Sequence, residues 1–126
     1  MRVVDTSAWI EWLRLSETGR KVEDHLPEQN QWIVPTIVQL ELTKWVIRES
    51  DEDRANQVIA FTESRIVVPL DTQIALSAAM LTKTYKLSTA DAIVYATALE
   101  HNADLLTCDA HFAGLLNVTL IPKKTP

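Results

Sequence analysis

Five short apolar runs divide this chain: RVVD (2–5), QWIVP (31–35), RIVVPL (65–70), DLLTC (104–108) and VTLIP (118–122). None alternates cleanly between apolar and polar residues, which is the pattern of strands buried on both faces of a parallel sheet. Parallel strands need crossover connections, so such a chain has to carry helices between its strands. The intervening segments supply them. Thr36 and Gln39 form a T-x-x-Q capping-box pattern ahead of LELTKWVIRES, Asp71 is placed to cap TQIALSAAMLTKTY, and Ser88 precedes ADAIVYATALEH, apolar nearly all round as in a buried helix. The segment 52–63 reads as one more helix, making residues 36–63 a helical pair. The expected fold class is α/β: a three-layer α/β/α arrangement with right-handed crossovers around a five-stranded parallel sheet.

A length of 126 residues suits one domain with one core, so residues 1–126 are expected to form a single unit with a frayed PKKTP tail. No apolar run approaches the ~18 residues that cross a bilayer, and no basic segment leads into an apolar stretch at the N-terminus. No membrane association and a cytoplasmic location are expected. Cys108, the one cysteine, cannot form an internal disulfide and reads as a small apolar residue at the end of a buried strand. A net charge of −5 argues against a broad basic surface for gripping nucleic acid. Local clustering can override that value: with four acids concentrated in one site, the remainder of the chain is close to neutral.

Ligands of open parallel sheets bind at the carboxyl ends of the strands. Asp5 closes the first apolar run and Asp109 follows the fourth, although aspartates also start helices and turns for local reasons. Glu41 lies at the edge of its helix's apolar face, with Ile37 and Trp45 one turn away on either side. Asp91 falls in the first turn of the buried helix, a position the helix dipole favours. A carboxylate near a buried face has to be paired, hydrogen-bonded or bound to a cation. Lys44 is the nearest base to Glu41, but the motifs around Asp5, Asp91 and Asp109 carry mainly hydroxyls: Thr6, Ser7, Ser88, Thr89 and Thr107. Carboxylates with hydroxyls or water suit Mg²⁺ or Mn²⁺. Zinc fits poorly, because His25, His101 and His111 lack ligand-type spacing. Only His111, two residues after Asp109, stands out.

The segments VVDTSAWI, PTIVQLEL and LSTADAIVYATALEHNADLLTCDAHF, in this order and spacing, resemble a PIN-domain protein of the VapC toxin type. The resemblance spans almost the whole chain. It implies a five-stranded parallel sheet flanked by helices and an Mg²⁺- or Mn²⁺-dependent ribonuclease site. The family's acidic positions fall on Asp5, Glu41, Asp91 and Asp109, and its secondary hydroxyl positions on Ser7 and Thr107. It also implies an RNA substrate, a cognate antitoxin that blocks the site, and a homodimer. Asp5 and Asp91 are then expected as direct metal ligands, with Glu41 and Asp109 holding the water or a second ion.

Phosphate contacts are sought at Lys83 and Lys86 before the Asp91 helix, at Arg14, and at Lys44 with Arg48, each of which also reads as ordinary solvated surface. Trp9, Trp12, Trp32 and Trp45 could stack on bases or form core, and Trp9 with Trp12 could mark a dimer or antitoxin surface. Two other classes compete. A receiver-like phosphoacceptor domain would use Asp71 after the third run and Lys123 after the fifth, leaving Glu41 and Asp91 without a task. A non-catalytic interaction module would tolerate loss of the four acids.

Overall fold

The computed structural model describes residues 1–124. Strands β1 (Arg2–Val4), β2 (Trp32–Pro35), β3 (Ile66–Val68), β4 (Asp104–Thr107) and β5 (Val118–Leu120) form one parallel sheet in the order β3-β2-β1-β4-β5. Each lies inside one of the five apolar runs. The helices are α1 (Thr6–Leu13), α2 (Glu17–Glu23), α3 (Thr36–Glu49), α4 (Glu52–Glu63), α5 (Thr72–Tyr85) and α6 (Thr89–Glu100). Val3, Val4, Ile33, Val34, Leu105 and Leu106 of the central strands are fully buried, and α6 is buried from Ala92 to Ala98. The sheet is therefore covered on both faces, as its unbroken apolar strands require.

The register of β1 against β4 pairs Arg2 with Asp104. There the Arg2 guanidinium donates from Nε and Nη2 to the two Asp104 oxygens, both at 2.8 Å. These hydrogen bonds hold the Asp104 carboxyl below its ordinary range. A two-pronged charged pair at one end of adjacent strands favours a single register over its neighbours, and so fixes which residues emerge at the other end.

Asp71 and Ser88 cap α5 and α6, accepting from the amides of Ile74 (2.9 Å) and Asp91 (3.2 Å). The capping box at Thr36 and Gln39 does not form. Pro35 occupies the cap position, and the Gln39 amide donates instead to Thr62 Oγ1 at 3.0 Å, tying α3 to α4. Helix α2, ETGRKVE, has no counterpart in the sequence reading because its polar composition shows no apolar stripe. It is started by Ser16, whose hydroxyl accepts from the Gly19 amide, and Gly19 rests directly on the Glu11 carbonyl of α1.

Trp9 and Trp32 are buried, and with Trp12 and Phe61 they form a cluster with ring centroids 4.8–5.9 Å apart. Arg65 lies over the Phe61 ring at 3.7 Å. Trp9 is thus core rather than docking surface. The tail is tethered as far as Lys124, whose amide donates to Thr18 Oγ1 and whose ammonium meets Glu17 at 2.8 Å. The rest of the tail expected to fray, residues 125–126, lies outside the described residues. The receiver-like arrangement fails on topology: β3 and β5 are the two edges of the sheet, so Asp71 and Lys123 follow strands on opposite sides and cannot share one site.

Candidate active site

Strand order reverses at β1, which has β2 on one side and β4 on the other. The crevice at the carboxyl ends of β1 and β4 is where such sheets bind ligands. Asp5 leaves β1 at this point. Although it occupies the cap position of α1, its side chain makes no capping bond, so the local explanation for its presence does not hold.

The Asp5 carboxylate is instead held across the sheet. Ser7 Oγ and Thr107 Oγ1 both donate to the same oxygen, Oδ2, each at 2.8 Å. The two hydroxyls are 3.2 Å apart and accept in turn from the amides of Cys108 (3.0 Å, to Ser7) and Asp109 (2.9 Å, to Thr107). Oδ1 of Asp5 carries no hydrogen bond among the described residues. Asp5 is 4% exposed. Burial pushes its carboxyl up to about 6; the bonds from Ser7 and Thr107 act against the shift, and the charges of Asp91 and Glu41 add to it.

The other three acids converge on the same crevice. Glu41, in the second turn of α3, accepts from Thr6 Oγ1 at 2.7 Å. Asp91, in the first turn of α6, has its carboxyl raised chiefly by burial and then by the charge of Asp109. Asp109 follows β4 and its Oδ1 receives both the His111 amide at 2.9 Å and the His111 ring Nδ1 at 2.7 Å. Among the described residues, no lysine or arginine pairs with any of the four. An acidic set in which hydroxyls hold Asp5 and Glu41 and no member is paired with a lysine or arginine among the described residues is a donor set for a hard divalent cation, and Asp5, Glu41, Asp91 and Asp109 are the residues able to hold one.

His111 joins this group although only its spacing from Asp109 hinted at it: one ligand atom each of Asp91, Asp109 and His111 lie within 4.8 Å of one another. The basic residues are less well placed. Arg14 sits at the far end of α1, one helix length from Asp5, and meets Glu11 at 3.5 Å. Arg48 pairs with Glu49, and Lys44 is exposed. Lys83 and Lys86 are exposed at the end of α5, on the approach to α6, and make no ion pair among the described residues. Cys108 is buried, which raises its thiol to about 11 and keeps it unreactive. Among the described residues, no helix is long and apolar enough to cross a membrane.

Compared with known families, residues 2–115 match the PIN domain model. No curated protein matches the sequence. Among solved structures, a chain of a toxin–antitoxin complex from Klebsiella pneumoniae superposes with a TM-score of 0.84 at 22% identity, covering 98% of this chain and 100% of that one. The VapC20 toxin of Mycobacterium tuberculosis, which cleaves the sarcin-ricin loop, gives 0.78 at 17% identity over 97% and 100% of the two chains. VapBC2 from Rickettsia felis, bound to a DNA fragment from its promoter, gives 0.73 at 14% identity over 98% of each.

Proposed function

This chain belongs to the PIN-domain family, and from that premise we propose that it is an Mg²⁺- or Mn²⁺-dependent endoribonuclease, the toxin of a VapBC-type toxin–antitoxin pair. One observation carries the reading: a buried aspartate whose Oδ2 is fixed by two hydroxyls, among three further carboxylates that no arginine or lysine pairs with among the described residues.

When bound, a divalent cation supplies the positive charge this site lacks and Lewis acidity toward a phosphodiester. The chain's residues do the positioning. Ser7 and Thr107 hold Asp5 by Oδ2 and leave Oδ1 uncommitted for the cation. Asp91 would be the second direct ligand. Glu41, anchored by Thr6, and Asp109 would hold the water or a second ion. Lys83 and Lys86 contact the phosphates of the incoming strand.

RNA as substrate and an inhibitory antitoxin as partner are supported by likeness to toxin–antitoxin structures and to a toxin that cleaves the sarcin-ricin loop. The setting proposed is the cytoplasm, where such RNA is found. A homodimer is supported by exposed apolar surface on α5, where Leu76 and Met80 stand one turn apart at 66% and 63% exposure.

The test is cleavage of a mixed cellular RNA pool by antitoxin-free protein with Mg²⁺, with Mn²⁺ and with chelator, beside Asp5→Asn and Asp91→Asn. Metal-dependent cutting absent from both variants supports the reading. Equal activity in wild type and variants overturns it.

A further inference from the structure

Resting on the metal-dependent reading above, we propose that His111 is a nitrogen ligand of the same centre, and that it turns the site's preference from Mg²⁺ toward Mn²⁺. The first ground is geometry. With metal–ligand bonds of about 2.1 Å, adjacent octahedral ligand atoms are about 3 Å apart and opposite ones about 4 Å. His111 Nδ1 stands 2.7 Å from Asp109 Oδ1, and the Asp91, Asp109 and His111 ligand atoms all fall within 4.8 Å of one another. Small side-chain rotations bring such a triad onto one ion.

The second ground is how the histidine is held. It lies in the short 3₁₀ turn Ala110–Phe112, with the Asp109 carboxylate accepting the His111 amide at one end and the fully buried Phe112 anchoring the other. The backbone of His111 is therefore fixed at the site, while its ring, on a side chain 79% exposed, is bonded among the described residues to Asp109 alone.

The third ground is chemical. Oxygen-only sites suit Mg²⁺, whereas imidazole is a ligand for first-row transition ions and adds little for Mg²⁺. A simple ion pair with Asp109 would engage that residue alone. Here the ring also lies within reach of Asp91, on a different element.

Pulsed electron paramagnetic resonance of the full chain loaded with Mn²⁺, combined with calorimetric titration of Mn²⁺ and of Mg²⁺, tests this for wild type, His111→Gln and His111→Ala. Glutamine keeps a donor for Asp109 but removes the imidazole. The expected result is nitrogen coupling to Mn²⁺ in wild type, lost in both variants, with Mn²⁺ affinity falling about tenfold or more and Mg²⁺ affinity unaltered. Mn²⁺ bound without nitrogen coupling overturns the role of His111 and leaves the carboxylate centre standing, as do variants that weaken both ions alike. A wild type that binds neither ion overturns the metal-dependent reading as well.

Discussion

Thr107 Oγ1 donates to Asp5 Oδ2 at 2.8 Å and accepts from the Asp109 amide at 2.9 Å, so one buried hydroxyl links two carboxylate-bearing segments from neighbouring strands. Thr107→Val keeps the shape and removes both bonds. The fold is expected to survive with a loss of about 2 kcal/mol, because a buried carboxylate and a buried amide each lose a partner. Metal affinity is expected to fall about tenfold or more, since the support of a ligand is gone. Thermal denaturation and metal titration of the variant check both; unchanged metal affinity would show that Ser7 alone suffices to hold Asp5.

Asp5→Asn separates charge from shape. The asparagine carbonyl can take the place of Oδ2 and accept from Ser7 and Thr107, which puts an NH₂ group where Oδ1 had been uncommitted. Cleavage is expected to disappear, while the metal-free protein becomes no less stable, because a buried charge has been removed. A destabilised but active variant would contradict both halves.

The pH dependence of stability follows from the same carboxyl. Its folded-state value of about 6 stands above the ordinary 3.8, so the folded chain binds this proton more tightly than the unfolded chain. The resulting stability is present below pH 4 and is lost as pH rises through 6, a change of about 3 kcal/mol. Asp91, also raised, acts in the same sense, whereas Asp104, held down by Arg2, works oppositely and only in stronger acid. Urea denaturation of chelated protein should therefore show a midpoint falling from about pH 4 to about pH 6.5 and levelling above it, and added divalent cation should restore it most at the upper end. A flat profile would mean that Asp5 does not titrate as a buried group.

Gly19→Ala probes the packing of α2 on α1. A methyl group there overlaps the Glu11 carbonyl, which belongs to backbone and cannot swing aside. A loss of about 3 kcal/mol is expected in chemical denaturation. A near-neutral result would show that α2 shifts freely relative to α1.

Neutralising Lys83 and Lys86 together should lower the salt dependence of RNA binding by about 1.4 in the log–log slope, the value for two contacts to a single strand. An unaltered slope would assign both lysines to the solvated surface.

Legibility in the sequence followed the range of the interactions involved. Strands announced themselves by composition, and the caps at Asp71 and Ser88 by contacts three residues long. Gln39 misled because a tertiary partner, Thr62, outcompeted the local capping bond. Helix α2 was invisible because its buried side, Thr18, Gly19 and Val22, offers only Val22 as an apolar side chain rather than an apolar stripe. In the site, the four acids were legible as residues out of place, but the work of Thr107 was not: its separation from Asp5 becomes contact only once β1 lies beside β4, whereas Ser7 reaches Asp5 from two residues away. The imidazole beside Asp109 had a spacing to suggest it, whereas its proximity to Asp91 depended on where α6 starts.

The separation of those partners also orders events in time. The Thr107 bond that fixes Asp5 reaches across 102 positions of the chain, among the most distant contacts the fold contains, and contacts of that kind come late in folding. A polypeptide emerging from the ribosome presents Asp5 first and gains Thr107 and Asp109 about a hundred residues later, synthesised N-terminus first. Until β4 docks on β1 the growing chain lacks both Asp109 and the Thr107 support of Asp5, so its chemistry stays dormant through most of its own synthesis.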